Sequence, residues 1–386
     1  MAAHTWDHER SKKRIDQKIE ALKDVEIVEY TKKLSLESIP ANKAYRMDSV
    51  HLYADILNLN EILGTTDTEG TRCHQRALRF LNLHYRAVHR ILSKCEAIRV
   101  DFHNQRLHSV VAKPYNSENE AEAKRIRRAV AIGQLIIDVL KETGDADEDI
   151  PSAKVSVGID SGKSLAVNNG RRGGREPLFL GVPANHAAKH AVCTTPGIYL
   201  TNEARTVIGL KKATDSTRTA LTTAEVQACQ EAAKLDVTKD QIVKEWKKDL
   251  EETPISEFEF SGHTPPMKNL DIEQLTPANS RRQELLSIYA DIDGFTKYVG
   301  DNIESNPKDV VRTLHVIRSE LDAALSADFE GRRIRFVGDC IHGVICEGTA
   351  QTTDAEKSIS EATRCVGALR SSFDLSVKRL KANATV

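Results

Sequence analysis

The sequence has no CxxC pair, few aromatic residues and almost no net charge, and each shortage excludes something. Its seven cysteines (Cys73, Cys95, Cys193, Cys229, Cys340, Cys346 and Cys365) are odd in number and scattered through 386 residues. Neither a disulfide framework nor a zinc ribbon is expected. Lysine and arginine number 55 against 56 aspartates and glutamates. Without a basic excess there is no case for bulk attraction to nucleic acid or to a membrane surface. No run approaches the ~18 apolar residues needed to cross a bilayer. The N-terminus, MAAHTWDHERSKKRIDQKIE, lacks the apolar stretch of a secretory leader. A soluble cytoplasmic protein is expected, with neither nucleic acid nor membrane as partner. What is present is length and 40% hydrophobic residues, enough for two or three domains of about 150 residues each.

The organisation shows in an internal repeat. SVHLYADILNLNEIL, from Ser49, resembles LLSIYADIDGFTKYV, from Leu285, with Asp55 over Asp291 at an offset of 236 (291 − 55). RVDFHNQRLHSVVA resembles RIRFVGDCIHGVIC, with Phe102 over Phe336 at an offset of 234 (336 − 102). Apolar periodicity predicts a helix from Gly70 to Cys95, and one after each hairpin, over Glu120–Lys141 and Asp354–Leu380. The expected division is a helical lead-in over 1–45, a first copy over 46–235, a proline-broken connector over 236–283, and a second copy over 284–386. Nothing like KVSVGIDSG follows the last helix, so the second copy is expected to be incomplete.

YADIDGFT reads as a strand ending in Asp291, and RRIRFVGDCIHGVIC as two strands joined at Gly338-Asp339. Side by side, they bring Asp291 and Asp339 to one sheet end. Two carboxylates and a backbone carbonyl make a hard-oxygen site suited to Mg²⁺ or Mn²⁺ holding a triphosphate. Ordinary turn chemistry is the plain alternative, and it is the reading given to Asp293. Two other signals are set aside. GIDSGKS lacks the first glycine of a phosphate loop, Val157 standing there. HAAKH places His186 and His190 one helical turn apart without the glutamate of a zinc motif, so they are expected to be surface or interface histidines.

YADIDGFT followed by RFVGDCIHGVI resembles the paired metal-site motifs of the class III nucleotidyl cyclases. KVSVGIDSGKSLAVNN, PLFLGVPANHAAKHA and TPGIYLTNEA resemble the strand, arm and asparagine-bearing helix that complete such a domain. The resemblance covers roughly 48–210 and 285–380. It implies an α+β, ferredoxin-like or palm-type cyclase homology domain, duplicated, with its second copy incomplete. It also assigns complementary halves. The second copy keeps both metal aspartates, Asp291 and Asp339, with Ile292 offering its backbone carbonyl to two Mg²⁺ or Mn²⁺ ions, while the first has Gln105 in place of the second. Asn185 matches the family's transition-state asparagine, and Lys189 stands where the family has arginine. Paired head to tail, within one chain or in a homodimer, the copies would form one competent site. There the ribose 3′-oxygen attacks the α-phosphorus and pyrophosphate leaves.

The same resemblance places base recognition at Asp101 and Leu178. Adenine-specific members have a lysine and an aspartate there, and guanine-specific members a glutamate and a cysteine. A carboxylate at 101 accepts from uracil N3–H, cytosine N4–H or guanine N1–H and offers nothing good to adenine N1. Tyr289, where phenylalanine is usual, adds bulk that favours a smaller base. The sequence is similar to the pyrimidine cyclases of bacterial antiphage signalling. That implies a nucleoside triphosphate substrate, UTP ahead of CTP, and a cyclic nucleotide that activates a downstream effector. The rivals are a purine cyclase acting on GTP or ATP, and a silent pseudo-cyclase that binds nucleotide and regulates a partner.

Overall fold

The computed structural model describes residues 4–115, 120–169 and 177–383. Asp7 caps the first helix, α1 (His8–Ala21), accepting from the Arg10 amide at 2.8 Å, and Ile15 and Ile19 give it one buried face. Strands β1 (Glu26–Glu29) and β2 (Lys43–Ile56) follow, then helices α2 (Leu59–Leu63), α3 (Thr66–Glu69) and α4 (Thr71–Lys94). A hairpin of β3 (Ile98–His103) and β4 (Arg106–Val111) leads to α5 (Ala121–Leu140). Next come β5 (Val155–Asn168), β6 (Pro177–Leu180), α6 (Val182–Ala191), β7 (Gly197–Leu200) and α7 (Asn202–Val207).

Strands β2 and β5 run antiparallel along their whole length and do two jobs. Their inner halves carry β4 and β3 on one side and the parallel strand β7 on the other. Their outer halves project as an arm flanked by β1 and β6. Period-two alternation sends Leu52, Ala54 and Ile56 to one face, where Phe80, Leu83 and Ile91 of α4 and Ile126, Val130 and Ile136 of α5 cover them.

Helix α6 crosses the opposite face, and Gly158 lets it do so. A Cβ at that position would lie 2.1 Å from the Ala187 carbonyl oxygen and 2.3 Å from the Ala191 amide nitrogen. Gly158→Ala is therefore expected to lift α6 off the sheet and lower stability by about 1–3 kcal/mol. Thermal unfolding measures this.

Helices α8 (Thr223–Ala233) and α9 (Lys239–Glu252) add Val226, Cys229, Ile242 and Trp246 to the same core, and Trp246 Nε1 donates to the Leu83 carbonyl at 3.0 Å. This corrects the expected boundary. Residues 239–252 belong to the first copy, because Ile242, Val243 and Trp246 share one buried helix face. The connector proper starts after α9 and contains a short parallel pair, β8 (Phe260–Ser261) and β9 (Ser280–Arg281).

The second copy comprises β10 (Leu286–Ala290), α10 (Phe295–Asn302), α11 (Pro307–Ala323), β11 (Arg332–Val337), β12 (Cys340–Ile345) and α12 (Ala355–Asn383). Its sheet has the order β10-β12-β11. The repeat is visible residue by residue. Tyr289 pairs with His342 as Tyr53 pairs with His108, and both rings stack, at 4.2 and 4.0 Å. The register slips between Arg333 and Arg335 as it does between Arg99 and Asp101.

The lead-in straps the two copies together. Arg14 bridges Glu320 and Asp328 of the second copy at 2.9 Å each, and Trp6 Nε1 donates to Ser372 Oγ at 2.8 Å. Strand β1, which the sequence pattern does not announce, then joins the first copy's arm.

Candidate active site

Strand β10 ends at Ala290 and delivers Asp291; the tight turn between β11 and β12, with Gly338 at φ +61°, delivers Asp339. A positive φ is cheap for glycine, so the turn is sharp enough to lay Asp339 beside the end of β10. The Ile292 amide donates to Asp339 Oδ2 at 3.3 Å. Burial first, and then the charge of Asp291, pushes the Asp339 carboxyl up to about 6. Among the described ion pairs neither aspartate has a basic partner. The two carboxylates repel each other, the Arg318 guanidinium offsets only part of the charge on Asp339, and with a backbone carbonyl beside them they fit hard divalent cations such as Mg²⁺ or Mn²⁺.

The pH dependence follows with a definite sign. A carboxyl raised above its unfolded value binds more protons in the native state, so its cost to stability shrinks as pH falls toward and below 6. In EDTA, lowering the pH from 7 to 5 should therefore favour the fold through Asp339, and Asp339→Asn should remove that contribution. Mn²⁺ affinity should fall over the same interval, because binding needs the ionised form. Scanning fluorimetry and titration calorimetry measure the two effects.

The first copy is built differently at the equivalent place. Gln105 occupies the position of Asp339, as the sequence indicates, but the decisive residue is the next one. Arg106 grips Asp55 through Nε at 2.9 Å and Nη2 at 2.7 Å, so a guanidinium neutralises the carboxylate. Its counterpart in the second copy is Cys340. The signal lies in the repeat itself, one position past the glutamine.

Helix α6 carries Asn185 across to the second copy. Asn185 Nδ2 donates to Thr296 Oγ1 at 2.9 Å, five residues beyond Asp291. A single chain therefore brings Asn185 beside the loop that bears Asp291. Lys189 lies one turn further along α6, exposed, with no ion pair among the described residues. Nothing in the sequence pattern singles out Thr296.

Asp101 is not the lone acceptor that the sequence suggests. Both its oxygens receive Arg335 Nη1, at 2.9 and 2.7 Å. Asp101 and Arg335 hold equivalent places in the two copies, each opposite a histidine, His108 or His342. The pair therefore ties β3 to β11 at matching positions. Leu178 is engaged separately, packed against the cluster containing Phe295, Val299 and Val310. Tyr289 is 62% exposed on the outer face of β10. Of the two histidines of HAAKH only His190 departs from expectation, being buried and bonded to Ser216 Oγ at 3.0 Å; His186 keeps 43% of its side chain exposed and meets Asp160 at 3.1 Å. GIDSGKS lies inside β5 and forms no phosphate loop.

No family model matches the sequence. A uridylate cyclase of Pseudomonas aeruginosa is 61% identical over 379 residues, 98% of this chain and 74% of the relative. A uridylate cyclase of a Rhizobium species is 38% identical over 363 residues, 89% of this chain and 68% of the relative. A crystal structure described as a class III adenylyl cyclase-like ATP-binding protein from P. aeruginosa matches with a TM-score of 0.96 and 61% identity, over 99% of this chain and 81% of that one. The fold and the relatives together define a nucleotide cyclase. The chain belongs to the class III nucleotidyl cyclase family and is related to its pyrimidine cyclases. Among the described residues no helix is long and apolar enough to cross a membrane.

Proposed function

We propose that this protein converts UTP to 3′,5′-cyclic UMP and pyrophosphate at one site built from both copies. The observation that carries the reading is the Asn185–Thr296 hydrogen bond, which sets the clamp of one copy against the metal loop of the other. Asp291, Asp339 and the Ile292 carbonyl would hold two Mg²⁺ or Mn²⁺ ions. Bound there, the ions lower the pKa of the ribose 3′-hydroxyl and neutralise the triphosphate.

The chain's own groups supply orientation and charge. Asn185 holds the ribose so that its 3′-oxygen lies in line with the α-phosphorus. Lys189 donates to the α-phosphate oxygens as negative charge builds on them. The new P–O3′ bond forms, the bond to the β-phosphate oxygen breaks, and the 3′ proton passes to solvent. Asp101 accepts from uracil N3–H while Arg335 donates to the neighbouring carbonyl. Leu178 provides an apolar wall, and Tyr289 narrows the entrance. The product would act as a second messenger on an effector in antiviral defence.

The names of the two relatives point to uridine, whereas the similar P. aeruginosa structure is described as ATP-binding. Incubation with each of the four ribonucleoside triphosphates and Mn²⁺, with products resolved by mass spectrometry, decides the matter. Cyclic UMP is expected, and Asp291→Ala should abolish it. Cyclic AMP or GMP would overturn the base assignment, and activity surviving in Asp291→Ala would overturn the site.

A further inference from the structure

Arg318, on α11, is 3% exposed, and no step of the chemistry above uses it. Its guanidinium carbon lies 3.8 Å from the centre of the Phe336 ring, three residues before Asp339. Nη2 leaves the second copy altogether and donates to Asn169, to the backbone oxygen at 3.2 Å and to Oδ1 at 2.8 Å. Nε and Nη1 are buried with no hydrogen-bond partner among the described residues. A buried guanidinium with two vacant nitrogens is a net cost to folding, and an apolar isostere is commonly neutral or stabilising in such a place.

We infer that Arg318 is a positioning residue that latches the first copy's arm onto the metal hairpin of the second. Asn169 directly follows β5, whose last residues pair with β6, Asn168 with Pro177 and Val167 with Leu178. Strand β6 runs straight into α6 and Asn185. On the other side Arg318 covers Phe336, whose strand ends at the turn bearing Asp339. Arg318 thereby links the seating of the arm to the placing of the metal carboxylate, beside the apolar contacts of Leu165, Val167 and Leu178 with Val310 and Leu314. Because Arg318 touches neither base nor phosphate, its loss should lower kcat and leave KM nearly unchanged. This inference rests on the composite-site reading.

Arg318→Met separates a latch from a structural prop. The expected result is a kcat reduced about 30-fold with KM for UTP within about twofold, and a melting temperature equal to or above that of the parent. Asn169→Ala should give the same loss, and the double variant should add little to either single one. Arg318→Lys keeps the charge but not the fork, so it should recover only part of the rate. Unchanged kcat in either single variant overturns the latch, and so does a loss of kcat that merely follows a fall in melting temperature. Asp339→Asn, assayed alongside, keeps the two readings distinguishable. Its continued turnover would sink the composite site, whereas an inactive Asp339→Asn with a fully active Arg318→Met would sink only the latch.

Discussion

Cys340→Arg should reduce cyclisation by about 10³-fold or more, equivalent to ~4 kcal/mol of barrier, without unfolding the protein. The molecule already contains the experiment. In the first copy the equivalent position is Arg106, whose guanidinium grips Asp55 through two nitrogens and supplies from within the chain the positive charge that a divalent cation would bring. Asp55 and Asp291 sit at the same point of the repeated sheet, so an arginine at 340 has the geometry to reach Asp291. A bidentate arginine–carboxylate pair is among the stronger polar contacts available, and it would leave Asp291 without charge to offer a metal. Mn²⁺ titration by calorimetry should show binding lost along with turnover, while Cys340→Ser retains both. The reverse change, Arg106→Cys with Gln105→Asp, frees Asp55 and recreates a carboxylate pair, so the number of Mn²⁺ ions bound per chain should rise. If Cys340→Arg keeps both metal binding and turnover, Asp291 is not a metal ligand.

Much of this is legible in the sequence, for reasons particular to the residues. The two YAD triplets and the two hairpins reveal the duplication, because strands with one buried face repeat their side chains in strict alternation. Asp291 and Asp339 follow from position alone, each at the end of a short strand. The contacts between the copies cannot be read in this way. Arg335 and Arg106 are two ordinary arginines in a chain with many, and only the pairing of one copy with the other, and of β2 with β4, shows that they neutralise Asp101 and Asp55. Thr296 and Arg318 are invisible for a similar reason, since their partners lie 111 and 149 residues away. Strand β1 escapes notice because EIVE pairs in parallel with the arm along a mostly exposed edge, where apolar periodicity is weak. Helix α9 reads as connector because its charged residues outnumber the three apolar ones that bury it.

Exchanging Asp101 and Arg335 is the second test with a large expected effect. The two side chains occupy equivalent positions and meet at 2.7 Å, so either single reversal, Asp101→Arg or Arg335→Asp, brings like charges together in a half-buried setting. Each should destabilise the pairing of the copies and reduce turnover by at least about 10²-fold, as breaking a partly buried ion pair leaves both charges uncompensated. The double exchange restores the attraction with its ends swapped, and near-symmetry of the backbone means that it should fit. Stability measured by thermal unfolding is therefore expected to return to the parent value. Turnover of UTP should not return. If Asp101 accepts from uracil N3–H, its exchange moves the acceptor from the clamp-bearing copy to the metal-bearing one, and a bound base would meet a donor where it needs an acceptor. Recovery of stability without recovery of UTP turnover separates base reading from simple adhesion. Recovery of both would mean that the pair only glues the copies together and that uracil is read elsewhere.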